Sequence, residues 1–484
     1  MKRVLEGLEP NKVFYYFEEL SRIPHPSYQE KKISDYLVSF AKERNLEHYQ
    51  DSLYNVIIIK EASPGYEEAE PVILQGHMDM VCEQESDCKK DMTKEGLDLA
   101  VEGDDVFAKG TTLGGDDGIA LAMGLAILDS EDIPHPRLEV VFTVSEEVGM
   151  EGASGIDLSM LRGRKLLNID SEEEGVFLAG CAGGALVTLT LSVGEQEYKD
   201  EGFVRVSIEG LQGGHSGTEI HKGRGNANIL LGRLLYEVYN EVAFSLVTVG
   251  GGSKDNAITR EADALLACER PEALLQILDR AAGRLIREYQ ETEPNMVIHM
   301  TEDKEGGKPS PVMTAESTKA YLSLLHTLPH GVVAMCQGME DLVETSLNLG
   351  VVTTEGHTIK LCYCVRSSVD QAFDDLVGEM EQIAQKHGAD YGIKGRYPAW
   401  EFAEVSPLRQ EMIEIYREMF GKEPIVNVMH AGVECGQLAQ KLPGLDSISF
   451  GPNLYDIHTP KERMSISSVR RTYEFLLELL RRVQ

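Results

Sequence analysis

Four short apolar runs set what this chain can fold into: NVIIIK, PVILQGHMDM, LEVVFTVSEE and KLLNID are rich in Val, Ile and Leu. Runs of this length without polar alternation fit strands buried on both faces, as in a largely parallel sheet covered by helices. Between them, GIALAMGLAILDS reads as the apolar, small-residue helix that connects such strands. Upstream, Val13 to Leu20 and Ile33 to Ala41 carry the amphipathic helical period, separated by the two prolines of SRIPHPSYQE. Downstream the theme returns, with a helix over LRQEMIEIYREMF, a buried strand over LDSISFG and a closing helix over ISSVRRTYEFLLELLRRV.

From about residue 184 to 397 the pattern differs. Alternating strands such as FVRVSIEG and TIKLCYCV mix with polar-faced helices, an α+β arrangement. A chain of 484 residues exceeds one ordinary core, so more than one domain is expected. The expected fold class is α/β, a mostly parallel sheet flanked by helices, with an inserted α+β domain. The segments are 1–183, 184–397 and 398–484. Element order also suggests that the insert is doubled, with one strand–helix–strand series from Leu186 to Ile298 and another from Tyr321 to Ile393.

The 80 acidic residues against 46 basic ones give a formal charge of −34, which repels phosphate backbones and anionic lipid. Neither nucleic acid nor membrane is an expected partner. No apolar h-region follows MKRVLEGLEP and no run of about 18 apolar residues occurs, so a cytoplasmic location is expected. Eight cysteines without a CxxC pair fit free thiols. Cys362 and Cys364 share one face of a strand and are expected in core packing.

The polar ends of the apolar runs carry the chemistry. His77 and Asp79 close PVILQGHMDM, two apart and so on one side of the sheet. Ligands of open α/β sheets bind at this carboxyl edge. Asp116 and Asp117 stand where a Gly-rich turn begins a helix, a position that N-caps also favour. Glu146 and Glu147 end LEVVFTVSEE, so one can hold metal while the other faces a bound water as general base. Asp170 ends KLLNID in the same way, and His458 lies in the loop beyond LDSISFG. Any one of these has an ordinary explanation. An ordered series delivered to one sheet edge does not, and two histidines with three carboxylates exceed one four-coordinate zinc but suit two metals sharing an aspartate. Nitrogen and oxygen donors favour two Zn²⁺, with Co²⁺ or Mn²⁺ able to substitute. The acidic run Glu172 to Glu174 reads as a solvated loop.

The series GHMDMV, TTLGGDDG, SEEVGMEG, LNID and HTPKERM resembles, in order and spacing, the cocatalytic metallopeptidases that include glutamate carboxypeptidase, peptidase T, dipeptidase V and the aminoacylases. Within that group GGHSGTEIHKGRGNAN and TSLNLG are similar to the aminoacyl-histidine dipeptidases. The resemblance implies that His77, Asp116 and Asp170 hold one zinc, and Asp116, Glu147 and His458 the other. It implies Glu146 as general base and Asp79 as its catalytic companion behind the ligands. The inserted domain would be a lid, with His215 and Asn256 stabilising the oxyanion and Arg366 holding the substrate carboxylate. The implied substrates are unblocked dipeptides, Xaa-His and β-Ala-His among them, and the protein is a monomer or homodimer. A related amidohydrolase or a non-catalytic metal protein are the alternatives; a substrate panel separates the first, and Glu146 argues against the second, since a closed structural site has no use for a spare carboxylate.

Overall fold

The structure, a computed structural model, describes residues 3–197, 202–303, 311–336 and 342–482. It divides into two compact units. The first comprises Met1–Cys181, Trp400–Val428 and Val433–Gln484, and the second Ala182–Ala399 with Met429–Gly432.

At the centre of the first unit's eight-stranded sheet, Leu138–Thr143, Val72–His77, Lys165–Asn168 and Asp446–Ser449 run parallel in that spatial order. Their side chains are buried on both faces, which is why their sequences show no alternation. Antiparallel pairs flank this centre, Val56–Lys60 on one side and Val176–Cys181 on the other. All four central strands therefore end at one edge, where the candidate ligands begin.

The helix Gly115–Leu128 is buried nearly all round, as an apolar sequence without a polar face requires. Phe17 of the helix Asn11–Leu20 closes on Gly118, and Phe142 and Val140 of the sheet close on Gly124; a Cβ at either glycine would sit 3.3 Å from its neighbour. Its C-terminal carbonyls meet cations. Lys60 donates to the carbonyls of Ile127 (3.1 Å) and Leu128 (3.2 Å), and Arg44 pairs with Asp129 at 2.7 Å. Phe177, Tyr416, Phe450 and Phe475 form an aromatic cluster with centroids 5.5–6.4 Å apart.

The second unit is doubled, but its halves are nested rather than consecutive. Phe203–Glu209, Ser245–Gly251, Ala262–Ala267 and Val297–Glu302, with the helices Ala227–Tyr239 and Pro271–Glu288, form one βαββαβ series with the fourth strand beside the first. Val343–Glu355, Thr358–Ser367 and Ala389–Tyr397, with the helices Ala315–Thr327 and Asp370–Lys386, form the other. Its first strand, Gly183–Ser192, comes before the whole of the first series. The tandem split from Leu186 to Ile298 and Tyr321 to Ile393 is thereby corrected: strand pairing with Thr358–Ser367 places Leu186 in the second half. Cys362 and Cys364 share a face; Cys364 is buried and Cys362 half-buried, while Ile359, Leu361, Tyr363 and Val365 on the other face join the unit's main core. All eight cysteines are free thiols.

Candidate metal centre

The strand Val72–His77 delivers its last residue to the sheet edge, where the His77 ring is fixed from behind. Nδ1 lies 3.0 Å from the Asp79 carbonyl and 3.6 Å from the Asp79 carboxylate, so the backbone carbonyl receives the Nδ1 proton and Nε2 is the ring nitrogen turned forward. That Nε2 lies 2.9 Å from Asp116 Oδ1 and 3.4 Å from Asp170 Oδ1. Across Asp116, the His458 ring Nε2 is 3.2 Å from Asp116 Oδ2 and 3.0 Å from Glu147 Oε2. Asp116 thus turns one oxygen to each histidine.

Donor atoms of His77, Asp116 and Asp170 converge closely enough to hold one cation, and so do those of Asp116, Glu147 and His458. His77, Glu146 and Glu147 form a third overlapping set. Burial works against a charged His77, but the Asp170 charge and hydrogen bonds to its carboxylate neighbours hold its basicity well above the usual range. The same contest pushes His458 up to about 11, with Asp116 and Glu147 outweighing burial. Carboxylates this crowded and buried require positive charge among them.

The chain segments carrying these groups are pinned by other carboxylates. Asp79, almost fully buried, accepts from the backbone N–H of Glu146 (3.0 Å) and Glu147 (3.2 Å) and from the Ser27 hydroxyl (2.8 Å). Its observed contacts are therefore with the turn that presents both glutamates. Glu30 holds the same turn from the other side, accepting from the Ser145 N–H and hydroxyl at 3.0 Å each. Asp117 faces inward, fully buried, and takes the His77 N–H at 3.2 Å.

The sequence model of peptidase family M20/M25/M40 matches residues 73–482, from the strand that ends in His77 to the closing helix. The chain belongs to this peptidase family. It is 37% identical over 486 residues to the cytosol non-specific dipeptidase of Escherichia coli (strain K12), covering 99% of each sequence. The structure of aminoacylhistidine dipeptidase from Vibrio alginolyticus superposes with a TM-score of 0.89 at 35% identity, covering 99% of this chain and 98% of that one. Aminopeptidase PepT from Bacillus cereus shares the fold, with a TM-score of 0.62 at 14% identity over 98% of this chain and 99% of that one.

In this peptidase the other three expected site residues belong to the second unit. His215, in a two-stranded pairing with Ala257, accepts the Thr218 N–H (3.1 Å) and the Gly217 N–H (3.3 Å) at Nδ1, which puts its proton on Nε2. Asn256 is exposed, and its carbonyl accepts the Ser216 N–H at 2.9 Å. Arg366 is 7% exposed and donates to the Tyr397 hydroxyl at 2.6 Å. It forms no ion pair among the described residues. Ser346, its cross-strand partner, meets His430 Nε2 at 2.7 Å. Burial, then the Arg366 charge, pushes the His430 ring down to about 3, so this imidazole is neutral.

Sequence reasoning passed over Glu434 and Glu462, both buried carboxylic acids of the first unit. Glu434 accepts from Gln75 Nε2 and Thr143 Oγ1, each at 2.6 Å, while its other oxygen has no partner among the described residues. It was findable only as an acid inside the apolar helix start VECGQLA. The acidic run was misread in part: Glu174 makes a two-pronged pair with Arg471 at 2.6 Å. Glu172 stays solvent-accessible, yet surrounding protein and the Asp116 and Asp170 charges push its carboxyl up to about 7.

Proposed function

We propose that this peptidase hydrolyses the peptide bond of unblocked dipeptides, Xaa-His and β-Ala-His among them, with two divalent cations, Zn²⁺ by preference, shared across Asp116. One observation carries the reading: Asp116 directs one carboxylate oxygen to the His77 side and the other to the His458 side. His77, Asp116 and Asp170 would hold one ion, and Asp116, Glu147 and His458 the other; this donor chemistry fits zinc, with cobalt or manganese as substitutes. Bound there, the ions would supply Lewis-acid polarisation and a water of lowered pKa.

With those sets filled, Glu146 is the carboxylate left over. Burial raises its basicity, and although the His77 charge opposes this, Asp170, Glu434 and Glu147 add to it. A carboxylate so placed accepts a proton from the attacking water and returns it to the leaving amine. Asp79 orients it by holding its backbone N–H. In the second unit, the His215 Nε2–H and the Asn256 amide are the donors for a developing oxyanion, and Arg366 the receptor for the substrate carboxylate. The dipeptide preference is supported by the relatives named above; the names differ on histidine specificity, and no residue identified in this chain selects histidine. The cytosol is the proposed location, in keeping with the Escherichia coli relative and with the lack, among the described residues, of a helix long and apolar enough to cross a membrane.

The test is metal analysis paired with a dipeptide panel, run before and after chelation and zinc return. Two ions per chain and zinc-dependent cleavage of free dipeptides are expected. One ion at saturation, or dipeptide cleavage that survives complete chelation, would overturn the two-metal reading.

A further inference from the structure

We infer that Glu462 is a positioning residue for Asp116: its carboxyl group is the built-in acceptor that shapes the Leu113–Asp116 turn and sets the direction of the shared ligand. The inference rests on the two-metal reading above.

The geometry is explicit. Oε2 of Glu462 accepts the N–H of Leu113 (2.7 Å) and of Gly114 (3.0 Å). Oε1 accepts the N–H of Gly115 (2.8 Å) and, at longer range, of Asp116 (3.4 Å). Four successive backbone donors thus converge on one carboxylate, a concave nest of the kind that binds anions. Gly114 supplies the left-handed residue that such a nest needs, at φ +65°. Glu462 is 2% exposed and has no ion pair among the described residues, so these N–H groups are what compensates its burial.

Its placement explains why a two-oxygen acceptor is used there. Glu462 lies four residues after His458, and the strand Arg463–Ser465 that follows it pairs with both Leu454–Tyr455 and Asp105–Ala108. His458 itself sits in an exposed loop at φ +59°. The carboxylate therefore ties the turn carrying Asp116 to the rigid end of the segment carrying His458. Two ligands of one cation, 342 residues apart in sequence, are set by a single side chain. Glutamine would keep the size but offer one acceptor oxygen and turn an NH₂ group toward the remaining donors.

Cobalt substitution reads ligand geometry directly through visible absorption. Apo protein is loaded with Co²⁺ for the wild type, Glu462→Gln and, as a control on the same loop, Lys461→Ala. The expected result is two ions in the wild type and in Lys461→Ala with one common spectrum. Glu462→Gln should show a displaced spectrum, at least tenfold weaker retention against a chelator, and kcat reduced more than KM is raised. A Glu462→Gln spectrum and chelator curve identical to wild type would overturn the inference while leaving the two-metal reading intact; a wild type that binds no second ion would defeat that reading instead. Should Glu462→Gln fail to fold, Gly115→Ala decides. Its Cβ would lie 3.1 Å from the end of the Leu454 side chain and 3.2 Å from Glu462 Oε1, crowding the carboxylate without removing it. A smaller spectral displacement in the same direction supports the inference, and an unchanged spectrum overturns it.

Discussion

Glu146 and Glu147 are neighbours in sequence, yet their carboxylates meet different surroundings. Glu147 lies 3.0 Å from the His458 ring, whose pull opposes the effect of burial. Glu146 has no histidine ion pair of this kind among the described residues; burial outweighs the His77 charge, and Asp170, Glu434 and Glu147 add to the rise. Glu146→Gln should therefore keep both metals and lose roughly 10²-fold or more in kcat, whereas Glu147→Gln should release one ion. Equal metal loss in the two variants, measured by elemental analysis, would reverse or erase the assignment. Glu434 supports a second expectation. Burial pushes its carboxyl up to about 7, above the ordinary range near 4.5, so the folded chain binds this proton more tightly than the unfolded one. Stability tied to it is full below the unfolded value and is lost as pH rises through that window. In metal-free protein, Glu434→Gln should remove up to about 3 kcal/mol of this pH-dependent loss, seen as a denaturation midpoint that falls less between pH 4.5 and 7 than in wild type. Parallel pH curves for the two proteins would show that Glu434 titrates alike in the folded and unfolded chains. The clustered candidate ligands were legible in sequence because His77, Glu147 and Asp170 follow apolar strand runs, Asp116 opens an apolar helix and His458 lies beyond a further apolar run. Glu434 and Glu462 were not, because their partners Gln75 and Gly115 stand 359 and 347 residues away and no local pattern records such contacts.

At the scale of elements, the site depends on how closely one helix approaches one strand. The strand Val72–His77 and the helix Gly115–Leu128 meet at Gly76, where an added Cβ would lie 2.5 Å from Asp117 Oδ2 and 2.6 Å from the Ala120 Cβ. The next residue is His77, whose N–H is held by that same Asp117 oxygen. Gly76→Ala must push helix and strand apart, at a cost of about 1–3 kcal/mol by urea denaturation, and weaken retention of the ion on the His77 side. Unchanged stability would mean the two elements are less tightly packed than described. Both elements were legible from the apolar runs, and so was the parallel centre of the sheet. The order of strands in the second unit was not. Strand–helix–strand grammar is the same for tandem and nested copies, and only the pairing of Gly183–Ser192 with Thr358–Ser367 distinguishes them.

At the scale of the whole molecule, each unit carries its own chemistry. The candidate metal ligands all lie in the first, while the second holds a buried guanidinium that forms no ion pair among the described residues. With His430 kept neutral and Ser346 uncharged, the positive charge of that cluster rests on Arg366 alone. A buried cation of this kind is costly unless an anion joins it, and a planar guanidinium grips a carboxylate through two parallel hydrogen bonds. If that carboxylate is the C-terminus of the substrate, Arg366 fixes the distance from chain end to scissile bond, so a tripeptide is displaced by one residue and an amide leaves the charge unpaired. Free Xaa-His dipeptides should then be cleaved well, and tripeptides and C-terminally amidated dipeptides poorly. Arg366→Ala should lose roughly 10²-fold or more in kcat/KM on the free acid, the scale of breaking a buried charge pair, and much less on the amide, which never used the contact. A loss confined to KM would mean the pair is equally strong in ground and transition states, and a loss in kcat would mean that it also positions the carbonyl. Cleavage of the amide at a rate similar to the free acid would remove Arg366 from this role and move the peptidase toward broader amide hydrolysis, where the dipeptide length limit has no physical source.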